Sequence, residues 1–210
     1  MLLKEFCAEN FEHVPAAIEK GAKRIELCDN LAVGGTTVSL GVMETTVEYC
    51  HEKDIPVMAI IRPRAGHFVY SDTELKIMTR DIFEAKKAQV DGVVLGCLTQ
   101  DGWIDEEAME ELLDIANGLQ ITFHMAFDAI PLAKQKEAID WLVDHQVDRI
   151  LTHGGPSGTP IEDNFAHLQE LIAYANHRLI ILPGGGITSE NATLVSETLN
   201  VHEVHGTKIV

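Results

Sequence analysis

Arg24-Ile25-Glu26-Leu27-Cys28 is an apolar run of strand length that closes on an acid and a thiol, and Glu5-Phe6-Cys7 closes the preceding run in nearly the same way. Later apolar runs also end in polar chemistry. These endings are Arg62-Pro63-Arg64, His124 with Asp128, Thr152-His153-Gly154-Gly155, Pro183-Gly184-Gly185-Gly186, and Glu203-Val204-His205-Gly206. Parallel α/β sheets gather their ligand chemistry at the carboxyl ends of the strands. One repeated ending therefore predicts both an architecture and the location of its site.

Outward from these endings, strand-length runs alternate with segments of helical period along the whole chain. Strands are expected at about 2–7, 24–28, 56–62, 92–97, 120–125, 148–153, 179–184 and 202–206, with seven helices between them. Ser71-x-x-Glu74 is a capping box opening a helix whose stripe is Leu75, Met78, Ile82 and Ala85. Asp105 and Gly118 bracket a second stripe of Met109, Leu112, Leu113 and Ala116. This pattern predicts an α/β fold, a single (β/α)₈ TIM barrel occupying residues 1–210 and lacking the eighth helix. Without that helix the seam between strands eight and one is bare. A homo-oligomer, dimer or tetramer, is expected to cover it.

Length and charge narrow the partners. The 210 residues carry a formal charge of −17, which repels phosphate backbones and anionic lipid. Neither nucleic acid nor membrane is an expected partner. The start Met1-Leu2-Leu3-Lys4-Glu5-Phe6 is no signal peptide, and no apolar run approaches the ~20 residues of a membrane span. Four cysteines without close spacing then read as reduced thiols in the cytoplasm.

Alternation along the strands sorts their side chains. Glu5 and Cys7 share one face, as do Arg24, Glu26 and Cys28, while Phe6, Ile25 and Leu27 take the other. The helix-facing side must be apolar, so the polar sets belong in the lumen. Its upper part is expected to hold Glu5, Cys7, Glu26, Cys28, Arg62, His124, Thr152, Glu203 and His205. His205, Cys7 and Cys28 are expected at similar height, with Glu203, Glu5 and Glu26 one layer below. Two thiols and an imidazole suit a soft metal, Cu(I) or Zn, with inert core thiols as the plain alternative.

Buried glutamates need partners. Glu5 and Glu26 should repel and raise one pKa unless a cation such as Arg24 or Arg62 intervenes. They make either a structural salt-bridge network or an acid–base site, with His124 and Asp128 as further candidates. The loops His153-Gly154-Gly155-Pro156-Ser157-Gly158 and Pro183-Gly184-Gly185-Gly186-Ile187-Thr188 either make tight turns or bring backbone N–H groups to an anion.

Taken together, these motifs resemble the CutC copper homeostasis family. The resemblance is carried by Ile25-Glu26-Leu27-Cys28 with Gly34-Gly35-Thr36, and by Ile61-Arg62-Pro63-Arg64-x-Gly66-x-Phe68-x-Tyr70. Further matches are Gly92-Val93-Val94-x-Gly96, Asp101-Gly102-x-Ile104-Asp105, Phe123-His124-x-Ala126-Phe127-Asp128, Pro183-Gly184-Gly185-Gly186-Ile187 with Asn191, and the closing His205. The resemblance implies a cytoplasmic, oligomeric barrel that binds copper, as Cu(I), through Cys7 and Cys28. The alternative is a barrel enzyme acting on a small, perhaps phosphorylated, metabolite. In that case Glu26, His124 and Asp128 are the catalytic residues, and Glu5, Arg62, Thr152, Gly184, Gly185 and His205 bind the ligand. Three positions depart from the family pattern. Met125 stands where arginine is common, which removes one anion contact, and its parity turns it toward the helices. His153 and Gly206-Thr207 stand where serine is usual.

Overall fold

The computed structural model describes residues 2–156 and 158–210; Met1, in the N-terminal run, and Ser157, in the loop after the sixth strand, lie outside them. Eight strands form one sheet: β1 (Leu3–Glu9), β2 (Arg24–Cys28), β3 (Val57–Ile60), β4 (Gly92–Leu95), β5 (Gln120–Phe123), β6 (Arg149–Thr152), β7 (Ile180–Pro183) and β8 (Glu203–Gly206). Every ladder is parallel, in the order β7-β6-β5-β4-β3-β2-β1-β8. Among the described residues seven α-helices surround it: α1 (Val14–Glu19), α2 (Leu40–His51), α3 (Asp72–Lys87), α4 (Glu106–Ile115), α5 (Gln135–Asp144), α6 (Phe165–Ala175) and α7 (Ala192–Leu199). This is the incomplete (β/α)₈ barrel that the alternation predicts. No helix among them is long and apolar enough to cross a membrane.

The weakest join lies between β7 and β8, which share no ladder. It is bridged just beyond the strand ends, where Thr188 pairs with Lys208 and the Ser189 N–H reaches the Lys208 carbonyl at 2.8 Å. The approach is close enough that a Cβ on Gly206 would stand 2.3 Å from the Ile187 carbonyl oxygen. Glycine is required there for the barrel to shut.

Local signals form the helices as written. Ser71 and Glu74 cap α3 reciprocally, and Met78, Ile82 and Ala85 bury its inner face. Asp105 accepts the Ala108 N–H at the start of α4, above Met109 and Leu112. Outward-facing strand residues such as Ile25, Leu27, Val57, Ala59, Val93 and Phe123 pack against these stripes in one continuous core. Full burial of each large side chain in that layer stabilises the fold by about 1.5–3 kcal/mol. Cys50 and Cys97 belong to this layer.

The lumen is a separate compartment. Cys7, Cys28, Met58, Ile60 and Val94 form their own small cluster, with the ionisable residues around it. Alternation therefore assigns the faces of β1, β2, β3 and β5 correctly, but it fails at three places. Thr152 shares its parity with Ile150, which packs in the helix-facing core, and Leu151 takes the cavity side instead. Met125 does not turn toward the helices. The strand ends at Phe123, a 3-10 turn spans Met125–Ala129, and the change of period brings the thioether to the cavity. The third failure is of height rather than face. Ladder partners are Glu5 with His205 and with Arg24, Cys7 with Glu26, and Glu9 with Cys28. Tilted barrel strands are staggered, so equivalent positions on neighbouring strands climb around the wall instead of forming a level ring.

Candidate functional site

Beneath the site the lumen is filled by a paired network. Arg24 donates Nε to Glu5 and Nη2 to Glu203 at 2.7 Å. Arg149 donates Nε to the same Glu203 oxygen at 3.1 Å and Nη2 to Gln120 at 2.7 Å. Two acids and two arginines thus cancel. Burial alone would raise the Glu5 pKa, but Arg24 and His205 outweigh it and hold the carboxyl at about 2. Arg149 completes a balance for which Arg24 and Arg62 were the expected cations. Arg62 takes no part in it.

On this floor stands His205. Its Nδ1 meets Glu5 Oε1 at 2.8 Å, and its Nε2 lies 3.7 Å from Glu26 Oε2. Burial opposes a charge on the ring, yet Glu26 and Glu5 together raise its pKa. Glu26 is 2 % exposed, and its Oε1 has no hydrogen-bond partner among the described residues. Burial raises its pKa, only partly countered by His205. The expected split between two neighbouring glutamates is present: one held ionised by arginine, the other held ready to take a proton.

Cys7 stands beside this pair. Its Sγ is 3.9 Å from Cys28 Sγ, and Cys7, Glu26 and His205 each place a ligand atom within 4.8 Å of the others. The Cys28 contact, burial and the Glu26 charge all push the Cys7 thiol well above its ordinary pKa. Cys28 is fully buried under Gly35, where an added Cβ would stand 3.2 Å from Cys28 Cβ. The three-residue donor group therefore contains Glu26 in place of Cys28.

Above them opens a cavity of about 580 Å³ lined by Cys7, Glu26, Arg62, His124, Gly185 and His205 from the predicted set. Arg62 donates Nη1 to the carbonyls of Val33 and Gly35, at 2.9 and 2.7 Å, and Nη2 to that of Gly66 at 3.0 Å. It ties the loops after β2 and β3 across the mouth. His124 accepts the Ala126 N–H on Nδ1 at 3.2 Å, and burial, helped by the Arg62 charge, lowers its pKa to about 3. The ring is neutral with its proton on Nε2. Gly184 clears space here: an added Cβ would stand 2.5 Å from Leu151, 3.2 Å from His205 and 3.3 Å from Met125.

Asp128 and Thr152 are not part of this wall. Asp128 accepts from the Thr152 hydroxyl, the His153 N–H at 2.9 Å and the Gly154 N–H at 3.2 Å. That clasp pins the loop after β6. His153 braces the β7 loop from behind, with Nδ1 3.2 Å from the Gly184 carbonyl. Arg64 is taken up by Glu74 and by carbonyls of its own loop. Conversely, Phe68, Met125, Leu151 and Lys208 line the cavity without having been singled out as binding residues. Phe68, Met125 and Lys208 sit outside the strands, where no periodicity marks a face, while Leu151 lies within β6 on the face opposite Ile150.

The family model for CutC matches residues 2–210. The chain belongs to the CutC family. A CutC family protein of Enterococcus faecalis is 65 % identical over 209 residues, covering all of both chains. The human copper homeostasis protein cutC homolog is 40 % identical over 209 residues, covering 97 % of this chain and 72 % of its own. The solved structure of a CutC protein from Streptococcus agalactiae superposes with a TM-score of 0.97 at 48 % identity and full coverage of both chains. This CutC family member thus pairs its barrel with a mouth in which thiol, carboxylate and imidazole converge beside a roomy cavity.

Proposed function

We propose that this CutC family barrel is an enzyme that moves a proton on a small metabolite held in the cavity. One observation carries the reading: Glu26, buried, raised in pKa and with one oxygen unpartnered, stands beside His205 on the cavity wall. A carboxyl poised in this way is suited to general acid–base work. Glu5 positions the imidazole and favours its charged form, so His205 can supply or absorb charge as Glu26 titrates. His124 serves this reading as a neutral donor, whereas Asp128 acts through the β6 loop alone. The protein is taken to work in the cytoplasm as a one-domain homo-oligomer, dimer or tetramer; a monomer mass at every concentration in analytical ultracentrifugation would refute the assembly.

A thermal-shift screen against small metabolites tests the enzymatic reading. The expected result is stabilisation by a compound whose turnover disappears in Glu26→Gln while its binding persists. Turnover undiminished in Glu26→Gln, or silence across the library, sinks it.

Cu(I) binding is the second reading, favoured by the Cys7–Cys28 distance of 3.9 Å. Two thiolates sharing one metal at about 2.3 Å each stand at a comparable separation. His205 also meets Glu5 through its second nitrogen, as metal-bound imidazoles commonly do. Copper would be cargo held by Cys7 and Cys28. Anaerobic Cu(I) titration of the wild type and of a Cys7→Ser, Cys28→Ser double variant decides the matter, and equal stoichiometry and affinity in the two would end the copper reading.

A further inference from the structure

We infer that the wall formed by Arg62, His124 and Phe68 binds the carboxylate of a small organic acid. The inference deepens the enzymatic reading by naming the class of its substrate. It begins with a charge left over. Glu5 and Glu203 are matched by Arg24 and Arg149, and Glu26 faces His205. Arg62 is 5 % exposed, yet no carboxylate lies within ion-pairing distance of it among the described residues. Its surroundings are the three loop carbonyls, the Phe68 ring at 5.3 Å and the Tyr70 phenol, all neutral. A buried cation without a counter-charge is costly unless a ligand supplies one.

The second half of the site is His124, 6 % exposed and resting on the same Phe68 ring at 4.8 Å. Because Nδ1 accepts a backbone N–H, the ring offers Nε2–H, which has no partner among the described residues. Arg62 has used three of its five N–H donors on carbonyls, and its Nε–H is likewise unpartnered. Gly96 makes the imidazole's position possible, since a Cβ there would stand 2.9 Å from the ring.

The same count selects the anion. One full positive charge and a neutral donor match a carboxylate's single negative charge. A phosphate monoester brings about −1.5 to −2 and three acceptor oxygens, more than this wall can answer. Ile60, Leu31 and Phe68 make the neighbouring surface apolar, which suits the carbon body of an organic acid. The anion then sits on the β3–β5 side of the mouth, with the β7 glycines across from it rather than around it.

The test is an NMR titration of ¹⁵N-histidine-labelled full-length protein, with the His124 signal assigned by its loss in His124→Phe. Pyruvate is the probe, its neutral isostere pyruvamide and inorganic phosphate the comparisons, at constant ionic strength. Pyruvate is expected to move the His124 signal saturably, with a dissociation constant on the order of 1 mM. Pyruvamide should leave it still, and phosphate should bind more weakly than pyruvate. Calorimetry on His124→Phe should show pyruvate affinity lower by about tenfold, the loss of one hydrogen bond to a charged group. No saturable shift with pyruvate, an equal response to pyruvamide, or tighter binding of phosphate overturns the site. Pyruvate binding that survives in Glu26→Gln keeps this site standing even where no proton-transfer activity is found, so the two proposals can fail separately.

Discussion

His205 and Glu5, 200 residues apart in the chain, meet through Nδ1 and Oε1 at 2.8 Å. Their contact joins the last strand to the first and fixes the imidazole that faces Glu26. Replacing Glu5 by Gln keeps the shape but removes the charge that answers both Arg24 and His205. Glu5→Gln should therefore cost about 3–5 kcal/mol in denaturant unfolding, the usual penalty for breaking a buried pair. It should also lower the His205 pKa, read by NMR titration. Unchanged stability and an unmoved histidine would dissolve the relation.

The pH dependence of stability has two acid limbs of the same sign. His124 falls from 6.5 unfolded to about 3 folded, so the unfolded chain binds more protons between those values. Stability declines as pH falls through that window, with a slope of up to about 1.4 kcal/mol per pH unit. Glu5 falls from 4.5 to about 2, and its contribution is lost as pH drops from 4.5 toward 2. His205 runs the other way: its raised pKa gives stability that is complete below 6.5 and lost as pH rises through the folded value. Chemical unfolding across pH 3–6.5 should show a flatter curve for His124→Phe than for the wild type. Parallel curves would refute the assignment to His124.

Gly184→Ala places a methyl group 2.5 Å from a Leu151 methyl and against His205 and Met125. Leu151 and Met125 can shift, so the fold should survive with a loss of about 1–3 kcal/mol. The displaced side chains enter the cavity, and ligand-induced thermal stabilisation should shrink or vanish. Full retention of ligand binding would show that Gly184 is only a turn residue.

Asp128→Asn tests whether this acid is a clasp or a catalyst. It weakens the hold on the Thr152 hydroxyl and on the N–H groups of His153 and Gly154. A stability loss of about 1–3 kcal/mol is expected, with the pH profile of any turnover unchanged. A profile that loses a limb would return Asp128 to the acid–base machinery.

The four cysteines are all free and buried. In native protein that has been reduced and then freed of reductant, none should react promptly with a thiol reagent such as Ellman's, and all four should react after unfolding. Prompt native reaction at Cys7 would mean a thiolate more exposed and more acidic than its surroundings allow.

Local pattern made much of this protein legible. Ser71 with Glu74 and Asp105 mark helix starts, and strand parity assigns Glu5, Cys7, Glu26, Arg62, His124 and His205 to the lumen. Parity stops working where the strand stops. Met125 departs from the alternation because a 3-10 turn follows Phe123, and Thr152 leaves the lumen because Leu151 takes the cavity side of β6. Phe68 and Lys208 carry no periodic signal, since loop positions are set by what the loop packs against.

What the amino-acid order determined by itself is the alternation of strand and helix, the family, and the list of ionisable groups pointing inward, because these follow from repeats a few residues long. Which of those groups meet was decided only by the closed barrel. Its stagger seats His205 between Glu5 and Glu26, gives Arg24 and Arg149 to the acids of the floor, and leaves Arg62 to neutral carbonyls. Such pairings depend on distances across the lumen between residues far apart in the chain, and no local repeat encodes them.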